Sequence, residues 1–139
     1  MKKIKEIKKL LKDFNLDGYI VPKNDEFFGE YIPETKDNLK FISNFTGSFG
    51  FALILKKENY LFVDGRYTLQ AKIQSGNVFK IITIPNKFPQ HILRNKKLRI
   101  GFDPKLHTET SLQRLFNKTS CKMIPLKQKL TCQKLKTRM

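Results

Sequence analysis

The chain has 139 residues, 40% of them hydrophobic, with twelve Phe and no Trp, which is one ordinary domain with a core filled by Phe, Leu and Ile. No run is long and apolar enough to cross a bilayer, and no signal-peptide core follows the Lys-rich start, so a cytoplasmic setting is expected. The net charge of +16 invites a nucleic-acid role, but the cations are overwhelmingly Lys, with Arg only at 66, 94, 99, 114 and 138, and sequence-reading proteins rely on Arg forks.

Asn is abundant too, as in the drift of an AT-rich genome, and no acid follows Glu109. The charge therefore reads as solvated and compositional. A stand-alone basic domain that binds nucleic acid or a protein partner is the alternative. Cys121 and Cys132 fit no metal spacing and are expected as free thiols.

Residues 2–14 place Ile4, Ile7, Leu10, Leu11 and Phe14 at helical spacing with lysines opposite, an amphipathic helix docked on a sheet. Asn15-Leu16-Asp17-Gly18 ends it. Tyr19-Ile20-Val21 reads as a buried strand closed by Pro22. A short helix is expected near 25–31, among Phe27, Phe28 and Tyr31, then a loop through Pro33 and another helical turn over Leu39–Ile42.

Phe49–Leu55 is nearly all apolar and predicts a central strand. A tight turn at Lys57-Glu58-Asn59 and the run Tyr60–Val63 complete a β-hairpin. Asp64 is placed to cap a helix over 66–75, with Gly76 at its C′ position. Val78–Ile84 predicts a strand, Phe88–Leu93 a weak helix, and "KLRIGFD" a strand ending at Asp103-Pro104. Thr108 can cap a helix carrying Leu112, Leu115 and Phe116, and Lys122–Ile124 is a last short strand. Strands alternating with helices, plus one hairpin, predict a single α/β domain with a mixed sheet flanked by helices over residues 1–125. The basic segment 126–139 is expected as a poorly ordered tail.

Catalytic chemistry is sparse. Only His91 and His107 are present, neither in a metal-binding arrangement, and His107 reads as an ordinary surface residue. Ser48 sits among small residues in "TGSFG", as a nucleophile would, but no base is evident for it. Gly47-x-x-Gly50 lacks the Gly-Lys-Ser/Thr of a phosphate loop; a Gly-flanked turn entering a strand explains it. Asp64 and Arg66 flank Gly65 at a strand-to-helix junction. One reading is a capped helix with an ion pair to a nearby acid such as Glu30. The other is an arginine that faces a phosphate or carboxylate. The absence of a visible second catalytic group favours the former.

Four phrases in order, "DGYIVPKNDEFFGEYIP" (17–33), "FISNFTGSFGFALIL" (41–55), "LFVDGRYTLQA" (61–71) and "RIGFDPKLHTETSLQRL" (99–115), resemble the N-terminal domain of Xaa-Pro aminopeptidases, the aminopeptidase P enzymes of the creatinase/prolidase group. The resemblance covers most of residues 5–125. It implies the same α/β fold and a division of labour. Catalysis would belong to a separate C-terminal metallopeptidase domain, where two aspartates, a histidine and two glutamates hold two divalent metals, Mn or Co. Those metals activate a water that attacks the bond before a proline.

The N-terminal domain would support homodimers or higher oligomers and wall the substrate entrance. No catalytic residue and no metal ligand carries over to this chain, which has no counterpart of the metallopeptidase domain. A truncated product, a natural fragment or a separately expressed domain are the three expectations. Asp64, Gly65, Arg66 and Tyr67 match the most specific motif, so Arg66 is a candidate for touching peptide substrate or a subunit interface. Phe45, Gly47 and Ser48 fall in the next most specific stretch and are expected to shape a loop near a domain interface.

Overall fold

The computed structural model describes residues 2–23, 38–47, 49–84, 86–116 and 119–126. The elements, in chain order, are α1 (Lys2–Asp13), β1 (Gly18–Pro22), α2 (Asn38–Ser43), β2 (Gly50–Leu55), β3 (Asn59–Asp64), α3 (Thr68–Ser75), β4 (Lys80–Ile84), α4 (Pro89–Ile92), β5 (Arg99–Phe102), α5 (Glu109–Phe116) and β6 (Lys122–Pro125). The expected helix near 25–31, Glu30, Ser48, Cys132 and residues 127–139 lie outside the described residues.

The strands form one mixed sheet in the order β4-β3-β2-β1-β5-β6. β1–β2 and β2–β3 pair antiparallel; β3–β4, β1–β5 and β5–β6 pair parallel. Only β2 therefore runs against the others. The C-terminal ends of five strands and the N-terminal end of β2 share one rim.

Strand periodicity sorts the core into two layers. Tyr19, Val21, Ala52, Ile54, Leu61 and Val63 face the side covered by α1, α2 and α3. Ile20, Phe51, Leu53, Phe62 and Ile100 face the side covered by α4 and α5. The first layer is the thicker: Ile4, Ile7, Leu10 and Leu11 of α1 are all buried there, as their spacing predicts. Leu126 is buried as well, and its N–H donates to the Phe102 carbonyl at 3.0 Å.

Helix ends follow local chemistry. At the end of α1, Asn15 adopts φ 56°. Its N–H donates to the Lys12 carbonyl at 3.2 Å and the Leu16 N–H to the Leu11 carbonyl at 2.8 Å, the paired bonds of a Schellman cap. Asn44 has φ 63° after α2. Asparagine thus does at two helix ends what glycine usually does.

Gly76 departs from the expected C′ glycine, because its φ is −65°. Its missing side chain answers close approach instead: a Cβ there would run into the Lys72 carbonyl oxygen. The helix expected over 66–75 is also shorter. Asp64 caps a single 3-10 turn, Gly65–Tyr67, and Tyr67 at φ −109°, ψ 4° interrupts the helical path, so α3 proper begins at Thr68. Thr108 caps α5 as expected, its Oγ1 accepting from the Ser111 N–H at 3.0 Å.

Because a side chain in the left-handed region costs about 1–2 kcal/mol unless it is Asn or Gly, Asn15→Ala is expected to lower unfolding free energy by about 1 kcal/mol in urea titrations. Asn15→Gly is expected to stay within a few tenths of a kcal/mol of the parent.

Candidate functional site

The rim gathers the motifs singled out in the sequence. β1 ends there at Pro22, β2 begins at Gly50, β3 ends at Asp64 and β5 ends at Phe102. The registers Pro22↔Phe51 and Gly50↔Val63 hold the starts and stops level. In open α/β sheets ligands bind in the crevice outside the carboxyl ends of the strands.

Phe45 joins two of these motifs. Its ring is fully buried and meets the Tyr67 ring edge-on, centroids 6.0 Å apart at 81°. Gly47 lies against that ring so closely that a Cβ could not fit, and a Cβ at Gly50 would sit 3.1 Å from it. Polar staples fix the same loop to α3. Thr46 donates its N–H to Gln74 Oε1 at 3.0 Å, and its hydroxyl accepts from Gln70 Nε2 and Gln74 Nε2, each at 2.9 Å. Ser75 Oγ donates to the Ser43 carbonyl at 2.6 Å. Both serines are buried; this bond satisfies the Ser75 hydroxyl, and the Ser43 hydroxyl donates to the Leu39 carbonyl at 2.6 Å.

Asp64 and Arg66 pair with each other. Asp64 Oδ1 accepts from the Arg66 N–H at 2.9 Å and from Arg66 Nε at 3.1 Å. The backbone N–H first, and the guanidinium second, hold the Asp64 carboxyl below its usual range, and Asp64 holds the guanidinium protonated. The guanidinium also lies 5.4 Å from the Tyr67 ring centroid, a cation–π arrangement. The Arg66 side chain is 74% exposed, so a screened surface pair of this kind contributes little to stability. What it does is fix the direction of an arginine at the rim. The expected partner, an acid such as Glu30, lies outside the described residues; the described partner is Asp64, two residues away.

A groove of about 520 Å³ opens on the thinner side of the sheet at the same rim. Phe49 and Phe51 of the β2 entry, Phe88 before α4, and Leu115 of α5 line it, together with Gln90, His107 and Arg114. A second cleft of about 930 Å³ shares His107 and Arg114 and adds Glu109. His107, expected as an ordinary surface residue, is half-buried, with its ring edge-on to Phe102 at 6.1 Å. Burial pushes its imidazole down to about 4, so it is neutral near pH 7. Its Nε2 and the Oδ2 of Asp103 are buried without a hydrogen-bond partner. Asp103 Oδ1 accepts from the Lys105 N–H at 2.9 Å, closing the turn that carries His107.

The structure thus brings Asp64, Arg66 and Tyr67 together with Phe45 and Gly47, while Ser48 lies outside the described residues. Sequence reasoning missed His107, Arg114 and the exposed Phe49. The available signal was position: His107 follows the Asp-Pro that ends β5, on the ligand-facing side of a parallel strand pair. Among the described residues, no three His, Cys, Asp or Glu side chains come together to hold a metal ion. Cys121 is a free thiol, and no helix among the described residues is long and apolar enough to cross a membrane.

Residues 3–132 match the family model of the creatinase/prolidase N-terminal domain. The chain belongs to that family. It is 31% identical over 139 residues to a probable Xaa-Pro aminopeptidase P of Coprinopsis cinerea, covering 93% of this chain and 22% of the relative. It is 33% identical over 113 residues to Xaa-Pro aminopeptidase 1 of Dictyostelium discoideum, covering 76% and 18%. The chain therefore spans about a fifth of the length of the relatives it matches.

Among solved structures, X-prolyl aminopeptidase from Caenorhabditis elegans, described as a cytosolic enzyme with a di-nuclear active site, superposes with a TM-score of 0.82 at 23% identity over 98% of this chain and 25% of that one. The N-terminal domain of cytoplasmic peptidase PepQ from Mycobacterium tuberculosis superposes with a TM-score of 0.68 at 18% identity, covering 90% and 92%. At these identities the likeness is one of fold.

Two outcomes follow from the site's packing. Gly47→Ala forces a buried ring to move and is expected to cost about 1–3 kcal/mol, whereas Arg66→Ala stays within about 0.5 kcal/mol of the parent; urea titration separates them.

A third outcome concerns pH. The folded imidazole of His107 has a pKa depressed from 6.5 to about 4. Between those values the unfolded chain binds a proton that the folded chain does not, so stability rises with pH across that window and falls on acidification. The loss from pH 7 to pH 4 is on the order of 2–3 kcal/mol, and His107→Gln is expected to remove that part of the slope.

Proposed function

We propose that this chain is the non-catalytic N-terminal domain of an Xaa-Pro aminopeptidase-type metallopeptidase, serving oligomerisation and substrate access in a cytoplasmic enzyme. The observation that carries the reading is the family match over residues 3–132, set in relatives about five times as long. The rim supports the substrate-access part. It presents an exposed arginine, Arg66, aimed by Asp64 and Tyr67, with Phe45 holding the neighbouring loop.

In this reading proline-containing peptides are handled by the whole enzyme. Arg66, Asp64, Tyr67 and Ser48 contribute at an interface or entrance. Two divalent metals, Mn or Co, belong to the C-terminal domain. The described donor set of this chain does not fit a two-metal centre, so no step of the hydrolysis is assigned to its residues. Self-association of this domain, or its docking on a catalytic domain, supplies the oligomer contacts.

The test is an assay of the purified chain with a peptide such as Arg-Pro-Pro in the presence of Mn²⁺ or Co²⁺. No release of the first residue is expected at any chain concentration. Turnover that scales with the amount of chain contradicts the reading.

A further inference from the structure

We propose that the rim groove between α4 and α5 binds the C-terminal end of a peptide, seating an apolar side chain against Phe49, Phe51 and Phe88 and its terminal carboxylate on Arg114. The groove, at about 520 Å³, falls within the size range of small-ligand sites. Its floor is rigid: Phe51 is buried and stacks on Phe62, centroids 4.8 Å apart at 11°. Its mouth is apolar and open to solvent, since Phe49 is 48% exposed at the start of β2. An aromatic ring left that exposed beside a cavity loses further apolar surface to water when a second apolar group joins it.

Charge selects the other half of the ligand. Arg114 makes no ion pair with any described residue, and Lys23 also borders the groove. No described Asp or Glu lines it, whereas the larger neighbouring cleft contains Glu109. The guanidinium fork matches a carboxylate in two parallel hydrogen bonds. Two of the other polar neighbours, Ser111 and His107, do not compete for that role. Ser111 is already committed to capping α5, its Oγ donating to the Thr108 carbonyl at 2.9 Å and accepting from the Thr108 N–H at 3.1 Å. His107 is neutral near pH 7, so it adds ring surface and no charge. An extended peptide end supplies what these walls lack: one apolar side chain with a carboxylate a few bonds away.

The inference deepens the substrate-access reading given above, but its test needs neither proline nor turnover. The full chain, labelled with ¹⁵N, is titrated with Ala-Ala-Phe and with Ala-Ala-Phe amide. The free acid is expected to shift the amides of Phe51 and Leu115 with millimolar or tighter affinity, and the amide form to bind about tenfold more weakly. Arg114→Gln, at an exposed position, is expected to bring the acid down to the affinity of the amide. Phe49→Ser is expected to weaken both forms alike. Absent shifts, equal binding of acid and amide by the parent chain, or an acid preference that survives Arg114→Gln each overturn the inference. Failure of this titration leaves the domain assignment standing, while turnover by the chain alone overturns that assignment and not this groove.

Discussion

The buried ring of Phe45 is the constraint on which the rim depends. One side of it touches Tyr67, at the turn after β3, and another lies against Gly47, in the loop that opens β2, and Gly50, the first residue of that strand. Interiors pack to crystal density, so a fully buried ring fixes the distance between the two segments it separates. The Thr46, Gln70 and Gln74 hydrogen bonds then fix their angle. Arg66 inherits its position from this arrangement, because its own ion pair is local and exposed and could not place it alone.

The two faces of the sheet divide labour in a way that matches their packing. Three helices bury one face, with α1 contributing an unbroken stripe of Ile and Leu. Among the described residues the other face carries two short helices and leaves a groove at the rim, with a cleft running along α5 beside it. The thin side offers surface that a ligand or another domain can complete, and the proposed groove draws on it, whereas Arg66 and the turn that aims it sit over the thick side.

Much of this was legible in the residues. Apolar spacing placed α1, the hairpin of β2 and β3, and β5, since their side chains are buried in proportion to their periodicity. Thr108 announced the start of α5 because its hydroxyl has only one obvious job there. The "DGRY" junction was readable as a cap because Asp64 stands two residues before the N–H it accepts. Four things were not readable. Tyr67 interrupts the helix through its backbone angles, which propensity does not encode. Gly76 is required by a carbonyl contact and not by a left-handed turn. His107 acquires its burial from Phe102 and the tight Asp103 turn, long after the local sequence suggests an exposed loop; the ring contact of Phe45 with Tyr67 likewise spans residues that no periodicity connects.

A double-mutant cycle on that contact tests the account most directly. Phe45→Leu, Tyr67→Leu and the double variant are compared by urea unfolding. A coupling energy of about 1 kcal/mol, the worth of an edge-on aromatic pair beyond burial, is predicted. Additivity within about 0.3 kcal/mol would mean that the loop and the turn are held independently, and the rim would lose the keystone assigned to it.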